Sequence, residues 1–124
     1  MVDDEEVVRR IASVTLERQG CRVLTAANGQ AGLQIFGEHR HEISLVILDL
    51  TMPVMGGAET LRGLRRINPE VVVIASSGYD ERDASRHFGS GIAAFLKKPY
   101  AAAALRQKVS MLLEKHNGVR RRPA

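Results

Sequence analysis

Residues 45–49 read Leu45-Val46-Ile47-Leu48-Asp49, four consecutive apolar residues followed by an aspartate. A strand with one solvated face would alternate apolar and polar residues, so this uninterrupted run predicts a parallel strand that is covered on both faces. The run at 71–75 has the same character. Two such strands predict an α/β sandwich, in which helices cover both faces of a parallel sheet.

Helical and extended patterns alternate along the rest of the chain. Apolar residues at helical spacing predict helices over 5–18, 30–39, 61–67 and 101–115, and shorter apolar runs predict strands over 21–26 and 93–96. In the first helix the apolar positions are Val7, Ile11 and Val14. A further helix over 80–88 carries little apolar surface, and we expect it to be the least firmly packed. Parallel strands joined by right-handed helical crossovers predict a three-layer sandwich.

The composition is that of one globular domain, with 124 residues of which 44% are hydrophobic and 26% are charged. The formal charge is +4, but three arginines are consecutive at 120–122. We therefore expect a domain over 1–116 that does not bind nucleic acid and a disordered basic tail over 117–124. Cys21 is the only cysteine, and neither a signal peptide nor a membrane span is recognisable, so we expect a cytoplasmic protein without membrane contact.

Polar residues follow the predicted strands where each one ends. They are Asp3-Asp4, Asp49, Ser76-Ser77 and Lys97-Lys98. The carboxyl ends of parallel strands meet at one edge of the sheet, where α/β proteins bind ligands. Two carboxylates about 4 Å apart repel by roughly 4 kcal/mol at an effective dielectric of about 20, so a cluster of them needs a cation. Oxygen ligands without a histidine or cysteine cluster favour Mg²⁺.

A carboxylate beside Mg²⁺ and a lysine is suited to attack phosphorus, because both cations neutralise charge on the transferring group and a nearby hydroxyl holds one of its oxygens. These residues predict an aspartyl phosphate. The lack of a GxxxxGK[ST] loop argues against a nucleotide hydrolase. Thr51 argues against a haloacid-dehalogenase-type phosphatase, since it stands where such an enzyme has its second aspartate.

Four groups of residues occur in register along the chain: Val2-Asp3-Asp4-Glu5; Val46-Ile47-Leu48-Asp49-Leu50 with Met52-Pro53 and Gly56-Gly57; Ser77-Gly78; and Phe95-Leu96-Lys97-Lys98-Pro99. Each is weak alone, but all of them together are highly specific. Over nearly its whole length the chain resembles the receiver domains of two-component response regulators, including those of hybrid sensor histidine kinases. The resemblance implies a flavodoxin-like, doubly wound five-stranded parallel sheet of order 2-1-3-4-5.

The resemblance also implies a role for each residue of the acidic cluster. Asp49 is then the phosphoacceptor, and the cofactor is Mg²⁺. Asp4 and Asp49 bind the metal directly, Thr51 adds its backbone carbonyl, and Asp3 acts through metal-bound water.

The same resemblance implies a phosphorylation switch. Ser77 binds the phosphoryl group, Lys98 pairs with it, and Phe95 turns inward when Ser77 moves toward the phosphate. Tyr79, like Thr51, matches a variable position that tunes the lifetime of the phosphoryl group.

The implied partner carries phosphohistidine and is either a sensor histidine kinase or a histidine phosphotransfer protein. The chain is then not a conventional enzyme, but it catalyses its own phosphoryl transfer and autodephosphorylation. The alternative is a degenerate receiver that binds partners independently of phosphorylation; the intact Asp4, Asp49, Ser77 and Lys98 favour the switch. A stand-alone regulator and the receiver part of a hybrid kinase both remain open, as does the oligomeric state.

The first strand departs from the family pattern. Only Met1 and Val2 precede the acidic pair, where receiver domains have about four or five apolar residues. We expect a truncated strand that lacks two or three buried aliphatic side chains, each worth roughly 1.5–3 kcal/mol. A marginal fold, a trimmed fragment and a chain whose true start lies upstream all remain open. Because this strand positions Asp4, Mg²⁺ binding is expected to be weaker than in a version extended by four apolar residues.

Overall fold

The structure is a computed structural model that describes residues 1–50, 56–78, 82 and 91–120, with side chains as far as Glu114. The helices in these ranges are α1 (Glu6–Glu17), α2 (Gly29–His39), α3 (Gly57–Ile67) and α4 (Ala102–Arg120), and the strands are β1 (Val46–Asp49), β2 (Val73–Ser77) and β3 (Ala94–Lys97). Residues 51–55, 79–81, 83–90 and 121–124 lie outside this description. The predictions for Thr51, Tyr79 and nearly all of the 80–88 helix fall there.

The three strands form a parallel sheet in the order β1-β2-β3. Asp49 is in register with Ser76, and Ser77 is in register with Lys97, so the carboxyl ends of all three strands lie at the same edge. β1 and β2 are buried along their whole length. The parallel, doubly covered sheet predicted from the uninterrupted apolar runs is confirmed.

Helices cover both faces of the sheet. On one face Phe36 of α2 and Leu61 and Leu64 of α3 pack against β1 and β2. On the other face Leu16 of α1 and Leu105 of α4 pack against the alternate side chains of the same strands. The result is the three-layer α/β/α arrangement that the alternating pattern predicted.

Val2 extends the pairing of the sheet by a single residue beside β1. It forms isolated parallel bridges to Ala26 on one side and Leu48 on the other. The strand predicted over 21–26 is wrong apart from the bridge at Ala26, since the remaining residues form no ladder. The physical reason is that, among the described residues, the bridge between Val2 and Ala26 is the one pairing this segment makes, and a single bridge does not make a ladder.

α1 is helical as predicted, but the apolar stripe of Val7, Ile11 and Val14 lies on its solvent-exposed face. Val7, Ile11 and Val14 are 68%, 52% and 45% exposed, whereas Ala12, Thr15 and Leu16 are buried. The sequence contains two apolar stripes, and the helix packs with the one that includes Leu16. The surface of α1 is therefore unusually apolar for a helix beside solvent.

α4 extends to Arg120, beyond the predicted end at Lys115, and so includes residues 117–120, which were expected to begin a disordered tail. No helix in the described part of the chain combines the length and apolar character needed to span a bilayer.

The Met1 ammonium lies inside the fold and donates a hydrogen bond to the Leu24 carbonyl at 2.7 Å. Burial lowers the pKa of this ammonium from 8.0 to about 6. The unfolded chain therefore binds the proton more tightly than the folded chain does. The Met1 contribution to stability is complete above pH 8 and is lost as the pH falls from 8 to 6.

We expect the free energy of unfolding to decrease by about 2–3 kcal/mol between pH 8 and pH 6 because of Met1, since each pKa unit corresponds to about 1.4 kcal/mol. Urea unfolding at a series of pH values measures this slope. A chain with an acetylated amino terminus is the control, because it has no ammonium to titrate. Equal slopes for the free and acetylated chains would contradict the prediction.

Candidate functional site

Three aspartates meet at the carboxyl edge of the sheet. Carboxylate oxygens of Asp3, Asp4 and Asp49 all lie within 4.8 Å of one another. Asp49 ends β1, and its backbone N–H donates to the Val2 carbonyl at 2.9 Å. The Val2 bridge thus fixes the position of the acidic pair relative to Asp49.

Lys98 brings its ammonium into the acidic cluster. Its Nζ lies 2.9 Å from Oδ2 of Asp3, 3.0 Å from Oδ2 of Asp49 and 3.1 Å from Oε1 of Glu5. The lysine follows β3, and its backbone N–H donates to the Ser77 carbonyl at 2.7 Å, which ties it to the end of β2. The structure therefore places Asp3, Asp4, Asp49 and Lys98 together, as the order of strand ends predicted.

The ammonium is stabilised by its acidic neighbours. Burial lowers the pKa of Lys98, but the contacts of its ammonium with the carboxylates of Asp3, Asp49 and Glu5, together with the charge of Asp49, outweigh that effect and raise the pKa well above its usual value. Lys98 is consequently charged at any physiological pH. A single ammonium still leaves this cluster with an excess of negative charge, because Asp4 adds a further carboxylate.

Asp3 is fixed by the turn that starts α1. Its Oδ1 accepts the Glu5 N–H at 2.9 Å, and its carbonyl accepts from Nη1 of Arg9 at 2.8 Å. Its Oδ2 is buried and, among the described residues, has no aligned hydrogen-bond donor, although Nζ of Lys98 is close enough for an ion pair. An under-satisfied buried carboxylate oxygen beside two further carboxylates is a donor set that fits a hard divalent cation such as Mg²⁺.

Gly57 allows α3 to begin in direct contact with the backbone of Leu50, the residue after Asp49. A Cβ atom at Gly57 would lie 2.5 Å from Cα and 2.8 Å from the carbonyl oxygen of Leu50, the residue after Asp49. The Gly57 N–H donates to that same carbonyl at 3.3 Å. A side chain here would have to displace backbone next to the acidic cluster.

We expect Gly57→Ala to destabilise the protein by about 1–3 kcal/mol, because the added methyl group overpacks against backbone rather than against a movable side chain. Chemical denaturation measures the change. Gly56→Ala is the matched control, because a Cβ atom there meets nothing within 4 Å. A Gly57→Ala loss no larger than that of Gly56→Ala would show that the contact with Leu50 is unimportant.

The other predicted site residues occupy different environments. Ser77 is fully buried at the end of β2. Phe95 is half-buried in β3 and packs against the core on the face covered by α2 and α3. Thr51 lies outside the described residues. Lys97 is exposed, as expected for a lysine outside the site.

Two residues near the cluster were not predicted to have a role. Glu5 is an ion-pair partner of Lys98, and nothing in a single acidic residue before a helix distinguishes it from an ordinary capping residue. Burial raises the pKa of Tyr100 to about 12, and the charge of Asp3 contributes further. The Tyr100 hydroxyl is buried without a hydrogen-bond partner in the described part of the chain. Its position two residues after Lys98 was the available signal.

Known proteins with similar sequences contain the same domain. The family model of the response regulator receiver domain matches residues 1–110. The chain is 35% identical to the sensor kinase CckA of Brucella abortus over 94% of its own length and 12% of the relative's. It is 31% identical to the KDP operon transcriptional regulatory protein KdpE of Escherichia coli over 94% of its own length and 51% of the relative's. The chain thus spans about half or less of these relatives.

Solved structures agree with the sequence comparison. A response regulator receiver domain protein from Clostridium thermocellum superposes with a TM-score of 0.84 at 31% identity, covering 95% of this chain and 94% of the other. CheY from Borrelia burgdorferi, in a complex with CheX, BeF₃ and Mg²⁺, superposes with a TM-score of 0.82 at 26% identity, covering 90% and 85%. With the family model matching most of its length, the chain belongs to the response regulator receiver domains of two-component signalling systems.

Proposed function

We propose that the chain accepts a phosphoryl group from a phosphohistidine on Asp49 and changes conformation as a result. The observation that carries this proposal is the 3.0 Å contact between Nζ of Lys98 and Oδ2 of Asp49 inside a cluster of three aspartates. A buried carboxylate held beside a permanent cation is positioned for attack on phosphorus. A purely structural ion pair would not need the two further carboxylates.

Mg²⁺ is the proposed cofactor. Asp4 and Asp49 would bind it directly, with the Thr51 backbone carbonyl as a further ligand and Asp3 acting through a bound water. When bound, Mg²⁺ neutralises charge on the phosphoryl oxygens during transfer. The exposure of Asp4 supports this assignment, because it leaves one side of the cluster open to solvent and to an incoming ion.

Transfer would be an in-line displacement at phosphorus. An Asp49 oxygen forms the new bond to phosphorus as the phosphorus–nitrogen bond to the donor histidine breaks, and the electron pair of that bond leaves with the imidazole. The Lys98 ammonium stays paired with the Asp49 carboxyl group, and the Ser77 hydroxyl donates a hydrogen bond to a phosphoryl oxygen. The chain thereby promotes its own phosphorylation and, with water as the nucleophile, its own dephosphorylation.

The switch is proposed to follow from charge. An acyl phosphate on Asp49 adds negative charge and new acceptor oxygens beside Lys98, which then has a stronger partner than Asp3 or Glu5. Ser77 moves toward the phosphate, and Phe95, which is half-buried in the neighbouring strand β3 in register with Ala75, turns inward into the space that is released.

The proposed partner is a sensor histidine kinase or a histidine phosphotransfer protein. The exposed Val7, Ile11 and Val14 support a docking face on α1, because this helix begins beside the acidic cluster at Glu5. We further propose that residues 1–116 form the receiver domain, with the complete sheet in the order 2-1-3-4-5, a basic tail over 117–124, a cytoplasmic location and no nucleic-acid contact by this domain.

The direct test is incubation with acetyl phosphate and Mg²⁺ followed by intact-mass measurement. We expect the protein to gain one phosphoryl group, and we expect a chelator to prevent the gain. Circular dichroism on the same sample verifies that the chain is folded. A folded protein that gains nothing would instead be a degenerate receiver that binds partners independently of phosphorylation.

A further inference from the structure

The side chain of Glu5 contacts the Lys98 ammonium instead of capping α1. Glu5 occupies the N-cap position, where a side-chain oxygen often accepts a hydrogen bond from the first turn of the helix, but it forms no such bond. Its Oε1 lies 3.1 Å from Nζ of Lys98. In the described part of the chain this carboxylate has no other partner. The position of the Glu5 carboxylate is therefore determined by Lys98.

Three carboxylates surround the Lys98 ammonium. The group has three N–H donors. Oxygens of Asp3, Asp49 and Glu5 lie 2.9 Å, 3.0 Å and 3.1 Å from Nζ. A phosphoryl oxygen that approaches Lys98 must therefore take the place of one of these carboxylates.

Glu5 is the carboxylate that can leave Lys98 most easily. Asp49 is the proposed phosphoacceptor and stays beside the ammonium during transfer. Asp3 is fully buried, and its Oδ1 accepts the Glu5 N–H at 2.9 Å. The Glu5 side chain, in contrast, is 60% exposed. Its hydrogen bond with Lys98 is exposed to solvent, whereas the bond from Lys98 to Asp49 is partly buried.

The charge of Glu5 also opposes the phosphodonor. Asp49 is buried, and the exposed acids beside it are Asp4 and Glu5, so a donor reaches the site past these two side chains. The phosphoryl group is an anion and is repelled by the Glu5 carboxylate. This repulsion, together with the loss of an exposed ion pair, corresponds to roughly a three- to tenfold effect on the rate of phosphorylation.

We propose that Glu5 is a positioning residue that covers the Lys98 ammonium in the unphosphorylated protein and is displaced when a phosphoryl group reaches Asp49. Glu5 thereby lowers the rate at which small anionic phosphodonors modify the protein. This inference rests on the proposed phosphoacceptor function of Asp49, and it assigns to the site a residue that acts through Lys98.

The test compares phosphorylation of the whole chain by acetyl phosphate in the wild type and in Glu5→Gln, at saturating Mg²⁺ and low salt. Glutamine keeps the shape of the side chain and removes its charge. We expect the rate at low donor concentration to rise roughly three- to tenfold. The rate at saturating donor should change less, because the effect lies in the approach of the anion. The gain should shrink at about 1 M salt, where exposed charges are screened.

Glu6→Gln is the matched control. It removes the same charge from the next residue, whose exposed carboxylate pairs with Arg10 instead of Lys98. Its phosphorylation rate should equal that of the wild type. Binding of trifluoroberyllate, an anionic analogue of the phosphoryl group, gives a second readout that involves no transfer. In calorimetry with Mg²⁺, Glu5→Gln should bind this anion more tightly than the wild type and Glu6→Gln.

Different failures have different meanings. If the wild type and Glu5→Gln are phosphorylated at the same rate and bind trifluoroberyllate equally, Glu5 does not compete for Lys98, and the phosphoacceptor function stands. Equal acceleration in Glu6→Gln, or a gain that salt does not reduce, would also overturn the role of the Glu5 contact. A folded wild type that gains no phosphoryl group would refute the proposed function and this inference with it.

Discussion

Asn in place of Asp49 is expected to abolish the gain of a phosphoryl group from acetyl phosphate completely. The amide has nearly the same volume as the carboxylate, so the packing at the end of β1 is preserved, but its oxygen is not an anionic nucleophile. Asp3 and Glu5 still lie within 2.9 Å and 3.1 Å of Nζ of Lys98, and the ammonium therefore keeps counter-ions in the variant. The expected defect is chemical, and the fold should survive, as intact mass and circular dichroism can establish on one sample.

The matched control is Glu70→Gln, which removes an exposed carboxylate in the turn after α3 and should leave phosphorylation unchanged. A phosphoryl group that still appears on Asp49→Asn would identify a different acceptor. Peptide mapping would then distinguish Asp3, which is also buried beside Lys98, from the exposed Asp4. Either result would refute the assignment of Asp49 while leaving the family membership intact.

The sheet and the acidic cluster were predictable because buried parallel strands have a simple sequence pattern. The runs before Asp49 and Ser76 are apolar without alternation, and parallel strands necessarily bring their following residues to the same edge. The prediction of Lys98 as a site residue required more information, since one lysine after a strand is usually a surface residue. It was identified by its register with the other motifs, and the structure places it against Asp3 and Asp49.

Features that depend on the choice between competing contacts were not predictable. α1 has an apolar stripe through Ile11 and another through Leu16, and only packing against α4 and the sheet selects the second. The segment 21–26 has the composition of a strand, but among the described residues it pairs only at Ala26, with Val2. Tyr100 lies near the acidic site because of the direction that the chain takes after Lys98. No periodic sequence pattern predicts that direction.

Replacement of Lys98 by methionine is expected to lower the free energy of unfolding by about 3–5 kcal/mol in the absence of divalent cations, the usual effect of removing one partner of a buried ion pair. The side chain of Lys98 is 15% exposed, while those of Asp3 and Asp49 are 0% and 1% exposed. Methionine preserves the length and the apolar stem, and the backbone hydrogen bond to Ser77 is unaffected. What remains is a group of buried carboxylates that repel one another without an ammonium between them.

Mg²⁺ should reverse much of this loss, because the same carboxylates that Lys98 neutralises are the proposed metal ligands. A ligand present at 100 times its dissociation constant stabilises by about 2.7 kcal/mol, and removal of the competing ammonium should strengthen binding further. In thermal unfolding experiments, increasing Mg²⁺ should therefore stabilise Lys98→Met more than the wild type. Lys97→Met, which removes an exposed charge from the adjacent residue, should behave like the wild type. A Lys98→Met variant whose unfolding temperature does not rise with Mg²⁺ would mean that Asp3, Asp4 and Asp49 do not hold the ion.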